Sequence, residues 1–418
     1  MTSQSDNPGR LEETSRVYVA RQPIFDARRG VHAYELLYRS GRVQSYDARD
    51  PNQATARVIV NSLLHIGLDR LTGGRRAFIN FTRDMLLDDY ALLLPQQEVV
   101  VEVLETVEPT PEIIATCAAL KERGYTLALD DFVLLEEPYR PLVELADIIK
   151  VDCQLAGPAG SRQLADAFRG SNKRLLAEKV ETEEQFLAAA SWGYDYFQGY
   201  FFSKPVMVEA VDVPGFKLNY LRILQELQRP ELDFEQLEQI VKSELSLSYR
   251  LLRYINSAAF RFRRRIETIR EALVAIGERE FRKWVALICL ATMGEDRPRE
   301  LLVQSTIRAH FCEGLAAACN LEAQRTDLFL TGLFSQLEAI VGRPLPELLD
   351  EVGVAPDIKQ ALIDGTGPLA DVLGAVTAYE RGDWDQVTLY AGRLGMDESR
   401  VPDPYLEAVE RAQWVFAT

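Results

Sequence analysis

The stretch LALDDF, residues 127–132, reads as an apolar strand that runs into two adjacent carboxylates, Asp130 and Asp131. In a buried setting, repulsion between two neighbouring carboxylates and the loss of their hydration are unfavourable unless a cation lies between them. The stretch therefore predicts a core strand whose end carries a metal site.

Short runs rich in β-branched residues occur on both sides of this stretch, and longer helical patterns separate most of them. This alternation is typical of parallel βα units. The eight runs are VYVARQPI (17–24), VHAYELLYR (31–39), RAFINF (76–81), EVVVEVL (98–104), YTLALDD (125–131), DIIKVD (147–152), RLLAEKV (174–180) and YDYFQGYF (194–201). They predict a small α/β TIM-like barrel, with one strand out of the parallel pattern at its start.

Polar side chains interrupt these apolar runs in their middle or C-terminal part. They are Gln22, Glu35, Asn80, Glu102, Asp130, Asp131, Lys150, Glu178 and Gln198. Strand ends of such a barrel converge on one mouth, where active sites of this fold lie. We therefore expect these sequence-distant residues to form one cluster.

The composition of this set selects a class of metal. It holds five carboxylates, three amides and one lysine but no histidine, and oxygen ligands favour Mg²⁺ or Mn²⁺ over zinc or copper. Two such ions can activate a water and stabilise both reacting oxygens of a phosphodiester. Lys150 could orient that water or neutralise developing charge, and Arg39 could hold a phosphate.

A structural interpretation of the same residues stays open. Carboxylates at strand ends can cap the following helices, and Glu–Lys pairs can be plain ion pairs. The ordered recurrence of polar groups at so many successive strand ends favours the functional interpretation.

The ordered motifs resemble the EAL domain of cyclic di-GMP signalling, over about residues 17–206. The matching segments are YELLYR, FINF, VEVLE, LALDDF, IIKVD, AEKVET and QGYFFSKP. The resemblance implies hydrolysis of cyclic di-GMP to the linear dinucleotide with Mg²⁺ or Mn²⁺. It implies metal ligation by Glu35, Asn80, Glu102, Asp130 and Asp131, catalysis by Glu178 and Lys150, substrate contacts by Gln22, Arg39 and Gln198, and anchoring of a loop by Glu105.

One departure from the family pattern bears on activity. Active members follow DDF with the glycine-rich loop GTGYSS, whereas this chain has VLLEEPYRPL at residues 133–142. Without glycine the loop loses easy access to positive φ. This favours a divergent barrel in the cyclic di-GMP network that acts through nucleotide binding or protein contacts. The alternatives are an active phosphodiesterase and a scaffold that binds no nucleotide.

The second half of the chain has helical patterns and no convincing strand. TIREALVAIG predicts a helix capped by Thr268 with Glu271 and ended by Gly277. The half resembles the HDOD domain, with Ser335 and Gln336 at the places of the metal-binding His–Asp pair of related hydrolases, which implies an interaction module for a protein partner. We expect a disordered tail (1–16), an EAL-like barrel (17–206), a linker (207–217) and a helical HDOD-like domain (218–418).

Composition limits the remaining function classes. A chain of 418 residues predicts two or three domains, and a net charge of -16 argues against nucleic-acid or anionic-membrane binding. No run approaches a membrane span, no signal peptide is evident, and five scattered cysteines are typical of reduced core residues. We expect a cytoplasmic protein, and the resemblance allows a homodimer.

Overall fold

A computed structural model describes residues 17–40, 67–131, 137–199, 215–229, 265–295 and 297–416, with single positions at 235, 238, 252, 255 and 256. The predicted tail (1–16) and the proline-bounded segment near the predicted domain boundary (205–214) lie outside these residues. Elements below are numbered within the described part of the chain.

Eight strands close into a barrel in chain order. They are β1 (Val17–Asp26), β2 (Val31–Ser40), β3 (Arg76–Phe81), β4 (Val99–Val103), β5 (Thr126–Leu129), β6 (Ile148–Asp152), β7 (Arg174–Glu178) and β8 (Tyr196–Phe197). Strands β2 to β8 are parallel to one another, whereas β1 is antiparallel to both of its neighbours, β2 and β8. The predicted TIM-like barrel with one exceptional first strand is confirmed.

Helices on the outside of the barrel follow its parallel strands. They are α1 (Leu68–Thr72), α2 (Arg83–Leu87), α3 (Pro111–Glu122), α4 (Arg140–Leu145), α5 (Cys153–Phe168) and α6 (Glu183–Trp192). Threonine caps explain where three of them begin: the hydroxyls of Thr82, Thr110 and Thr182 each accept from a backbone N–H of the first turn.

The second half is helical throughout its described residues. Its helices are α7 (Gly215–Leu227), α8 (Ile269–Ile276), α9 (Glu278–Met293), α10 (Arg299–Leu315), α11 (Arg325–Phe334), α12 (Leu337–Val341), α13 (Leu345–Val352), α14 (Pro356–Lys359), α15 (Pro368–Glu380), α16 (Trp384–Leu394) and α17 (Pro402–Phe416). Thr268 caps α8, and Gly277, at φ 81°, ends it as predicted. Helix α7 begins three residues before the predicted limit of the helical domain, at Gly215.

The helical half covers an edge of strand β1. Within the described residues, β8 pairs only with Phe25 and Asp26, which leaves the N-terminal part of β1 without a strand on that side. The backbone N–H groups of Val19 and Arg21 donate there to the hydroxyls of Tyr379 and Tyr405, each at 3.2 Å. These tyrosines, on α15 and α17, supply the acceptors that a neighbouring strand would otherwise give.

Strands β1 and β2 also send side chains into the contact between the two halves. Tyr18 and Ala20 belong to the apolar core of the helical half. The Tyr34 hydroxyl donates to Glu300 at 3.0 Å, and the guanidinium of Arg21 lies 4.3 Å from the centre of the Tyr34 ring. Arg21 and Glu300 are both buried, so the contact between the halves includes buried charge.

Candidate functional site

The polar cluster lies directly above an apolar layer inside the barrel. That layer consists of Ile24, Ala33, Phe78, Val100, Ala128, Ile148 and Leu176. Side chains of a strand alternate between its faces, so the second residue after each interior one points inward again. The positions two residues beyond the layer on β2 to β7 are Glu35, Asn80, Glu102, Asp130, Lys150 and Glu178.

Lys150 stands at the centre of the cluster. Its Nζ lies 2.8 Å from Asp130 Oδ1, 2.9 Å from Glu178 Oε1 and 3.8 Å from Glu35 Oε1, and it donates to Glu102 Oε1 at close range. Burial alone would lower the pKa of Lys150, but the carboxylates, Glu102 foremost, raise it well above its usual value. The lysine therefore stays charged and holds the carboxylates together.

Gln198 joins this centre through Glu35, and Gln22 joins it through Gln198. The Gln198 amide donates to Glu35 Oε2 at 2.7 Å and to Gln22 Oε1 at 3.0 Å, while Asn80 Nδ2 donates to Glu35 Oε1 at 3.1 Å. Gln22 and Glu35 are paired across the antiparallel ladder of β1 and β2. The structure thus brings together the residues predicted from eight separate runs.

Several oxygen atoms of the cluster are buried with no hydrogen-bond partner among the described residues. They are Asn80 Oδ1, Glu102 Oε2, Glu178 Oε2 and Gln198 Oε1. One ligand oxygen each from Asp130, Asp131 and Glu178 lies within 4.8 Å of the others. Orphaned carboxylate and amide oxygens are costly in a protein interior unless a ligand satisfies them. This donor set fits a hard divalent cation.

Glu178 differs from an ordinary surface glutamate in its pKa. Burial raises this pKa to about 8, although the nearby Lys150 acts in the opposite direction. A carboxylate with this pKa can exchange a proton near neutral pH.

Two residues beside the cluster have left-handed backbone conformations that non-glycine residues rarely adopt. Asp131 has φ 45° and Lys179 has φ 53°. The Lys179 ammonium contacts Asp152 and lies 3.9 Å from Asp131. Such strain recurs at functional sites. Sequence reasoning missed Lys179, although its place directly after Glu178 was a usable signal.

Some predicted residues have structural roles or lie apart. Asp152, the last residue of the matching segment IIKVD, accepts from the backbone N–H groups of Gln154 and Leu155 and so caps α5, as the structural interpretation allowed for strand-end carboxylates. Glu105 is exposed, and the loop that it would anchor (133–142) is described only from residue 137 onward. The Arg39 side chain also falls outside them, so its phosphate contact stays a prediction.

The positions of the absent His–Asp pair carry structural contacts. Ser335 donates to the Gly332 carbonyl at 2.7 Å and accepts from Arg308 at 3.0 Å, and Gln336 is buried. His310 is buried beside Trp284 and Phe329, and its Nδ1 lies 3.6 Å from Glu313 Oε2. No described helix is long and apolar enough to cross a membrane.

We expect Gly199→Ala to lower the free energy of unfolding by about 3 kcal/mol. Gly199 has φ 149°, and a Cβ there would run into the backbone of Val180, while the Val180 N–H donates to the Gln198 carbonyl. Urea unfolding measures the change. Gly193→Ala is the control because Gly193 also has positive φ, 105°, yet a Cβ there meets nothing within 4 Å. Equal losses in the two variants would contradict the packing argument.

Comparisons with known proteins cover almost the whole chain. An HDOD domain model matches residues 213–354 and an EAL domain model matches residues 53–205. The Vibrio cholerae protein named Cyclic di-GMP phosphodiesterase CdgJ is 36% identical over 402 residues, covering 95% of this chain and 92% of its own. The Bacillus subtilis protein YuxH is 33% identical and covers 94% of this chain and 98% of its own.

A similar solved structure is the Klebsiella pneumoniae protein BlrP1 in its calcium and cyclic di-GMP complex. It is 26% identical, with a TM-score of 0.37, and the match covers 45% of this chain and 55% of that one.

Proposed function

The chain belongs to the family of proteins that join an EAL domain to an HDOD domain, and on this basis we propose that it is a metal-dependent phosphodiesterase that hydrolyses cyclic di-GMP to the linear dinucleotide. The observation that carries the proposal is the cluster itself. Five carboxylates, three amides and a buried lysine meet at one barrel mouth, with orphaned oxygens among them. A fold-only scaffold gains nothing from so costly an arrangement.

The residues that would hold divalent cations are the oxygen donors of the cluster: Glu35, Asn80, Glu102, Asp130 and Asp131. Bound Mg²⁺ or Mn²⁺ supplies charge to the phosphodiester oxygens and lowers the pKa of a coordinated water. The acidic cluster needs such ions for a second reason, because the dinucleotide is itself an anion.

The chain's own groups position the reactants and move the proton. Lys150 presents a permanent positive charge at the centre of the mouth, where it stabilises charge that develops on the phosphate. Glu178, whose pKa burial raises to about 8, lies beside it and accepts a proton from the attacking water. Gln22 and Gln198 offer amides to the substrate at the rim, and we keep Arg39 as a phosphate contact.

A second candidate function is binding of cyclic di-GMP without turnover, and the segment after Asp131 favours it. Residues Glu137–Tyr139 form a 3₁₀ turn that leads directly into α4, with Pro138 and Pro141 inside these elements. A glycine-free, proline-containing path is stiffer than the loop of active family members. On this reading the protein is a receptor.

The test is incubation of the whole protein with cyclic di-GMP and Mn²⁺, with products resolved by chromatography, and a binding titration in Ca²⁺. We expect linear dinucleotide, and a rate at least about a hundredfold lower in Glu35→Ala because it loses a metal ligand. Glu122→Ala, on the exposed side of α3, controls for loss of a glutamate. Binding without product would establish the receptor instead. If the protein neither binds cyclic di-GMP nor forms product, both functions are excluded.

We also propose that the helical half binds a protein partner. Its buried centre carries no catalytic constellation in the part that the structure describes, and Ser335 and Gln336 are used in packing. The domain limits given above and a homodimer remain predictions.

A further inference from the structure

A cleft of about 390 Å³ separates the barrel mouth from the helical half. Gln22 and Gln198 line it on the barrel side, and Gln304, Arg308 and Glu380 line it on the helical side. Its volume is within the usual range for small-molecule sites. The cleft is continuous with the carboxylate cluster, because Gln198 also donates to Glu35.

Gln198 provides the observation that points to a ligand. Its side chain is 5% exposed, and its amide nitrogen uses both hydrogens on Glu35 and Gln22. Its carbonyl oxygen Oε1 has no partner among the described residues. A buried amide carbonyl left in this state is costly and is satisfied by a ligand that donates an N–H.

The helical wall of the cleft presents groups of matching chemistry. Arg308 forms a forked ion pair with Glu380, with Nη2 to Oε2 at 2.6 Å and Nε to Oε2 at 3.1 Å. Gln304 lies one turn before Arg308 on α10. The wall thus combines acceptors with guanidinium donors, the two kinds of group that a guanine edge can use. Its N1–H and N2–H₂ need acceptors, and its O6 and N7 accept from a guanidinium.

The helical half also holds the rim of the mouth in place. Gln22 Nε2 donates to the Arg381 carbonyl at 3.2 Å, and Gln22 Oε1 accepts from Gln198 at 3.0 Å. A barrel residue that faces the substrate site is therefore fixed by the backbone of the other domain.

We propose that this cleft takes one guanine base of a cyclic dinucleotide, so that the helical half forms one wall of the nucleotide site and Gln304 is a specificity-determining residue. The inference rests on the proposed function, because it assigns the base of the same substrate. It makes the two domains a single binding unit.

The experiment measures dissociation constants of cyclic di-GMP and cyclic di-AMP in Ca²⁺ for the whole protein and three variants. We expect Gln304→Ala to bind cyclic di-GMP about tenfold more weakly while affinity for cyclic di-AMP changes little, so that discrimination falls. Gln304→Trp, which fills the cleft, should weaken binding of both nucleotides further. Gln386→Ala is the control, since Gln386 is exposed on α16 and lies away from the cleft.

The outcomes separate the inference from the proposed function. If wild type binds cyclic di-GMP and both Gln304 variants bind it equally well, the cleft is not part of the site, although the proposed function stands. If wild type binds no cyclic dinucleotide, the proposed function fails and the inference fails with it. Circular dichroism and unfolding of each variant exclude misfolding as the cause of a loss.

Discussion

Replacing Lys150 by methionine is expected to lower the free energy of unfolding of the metal-free protein by about 3–5 kcal/mol. Lys150 is 1% exposed and, among the described residues, is the only cation in ion-pair contact with Glu35, Glu102, Asp130 and Glu178. Methionine has a similar volume, so the packing is kept and only the compensating charge is removed. The remaining carboxylates then repel one another in a site with little water.

Divalent cations should restore most of that stability, and this makes the prediction specific. Mn²⁺ or Mg²⁺ bound by the same oxygens replaces the lost positive charge, and binding to the folded state alone raises its stability. Urea unfolding of wild type and variant with and without about 5–10 mM cation, roughly a thousandfold above a Kd of a few micromolar, measures the rescue. A Lys150→Met protein that is destabilised but indifferent to cations would argue against a metal site.

Lys359→Met serves as the matched control. It removes a lysine that pairs with Asp350 on the surface, where its side chain is 42% exposed. A surface ion pair contributes about 0–1 kcal/mol. The same substitution there should therefore change stability little and show no dependence on Mn²⁺.

The second large effect is expected at the contact between the domains. Glu300→Ala should lower the free energy of unfolding by about 3 kcal/mol, because it strips the Tyr34 hydroxyl of its acceptor and leaves the buried Arg21 without a nearby carboxylate. Arg21 also donates to the Leu71 carbonyl at 2.7 Å, so its charge cannot turn out to solvent without breaking that bond.

Loss of coupling between the halves should accompany this destabilisation. We expect wild type to unfold in one transition and Glu300→Ala in two, measured by urea titration with tryptophan fluorescence and far-UV circular dichroism. Glu300→Gln keeps an acceptor for the Tyr34 hydroxyl, so its free energy of unfolding should lie between those of wild type and Glu300→Ala. Glu347→Ala, at an exposed site on α13 with 60% side-chain exposure, is the control, and a loss there equal to that of Glu300→Ala would contradict a role for buried charge.

Period-two alternation made the barrel and its mouth predictable from the sequence. An inward residue such as Val100 or Ile148 fixes that Glu102 or Lys150, two positions later, also points inward, so each strand reports its contribution to the site independently. The apolar runs likewise placed the strands, with ends shifted by a few residues. In the described part of the last run (194–199), the strand is the two residues Tyr196–Phe197.

Contacts between distant segments were not predictable in the same way. In the sequence, Tyr379 and Tyr405 look like ordinary apolar residues of amphipathic helices. No local pattern connects them to Val19 and Arg21, which lie 360 and 384 positions earlier in the chain. The left-handed Lys179 was missed because a single lysine just beyond a strand end gives no periodic signal, and only its place directly after Glu178 pointed to it. The sequence favoured binding over catalysis from the altered loop, whereas the assembled cluster moves our proposal towards catalysis.

The hydroxyls of Tyr379 and Tyr405, which accept from the backbone of β1, affect whether the two domains can be separated. A barrel cut away from its helices would expose backbone N–H groups along an unpaired strand, which is a template for adding a strand from another molecule. Such a fragment would be prone to self-association, and its behaviour in isolation would be a poor guide to the parent. The two domains are therefore best engineered as one unit. A barrel moved into a new fusion needs other acceptors for the two backbone N–H groups that Tyr379 and Tyr405 now satisfy.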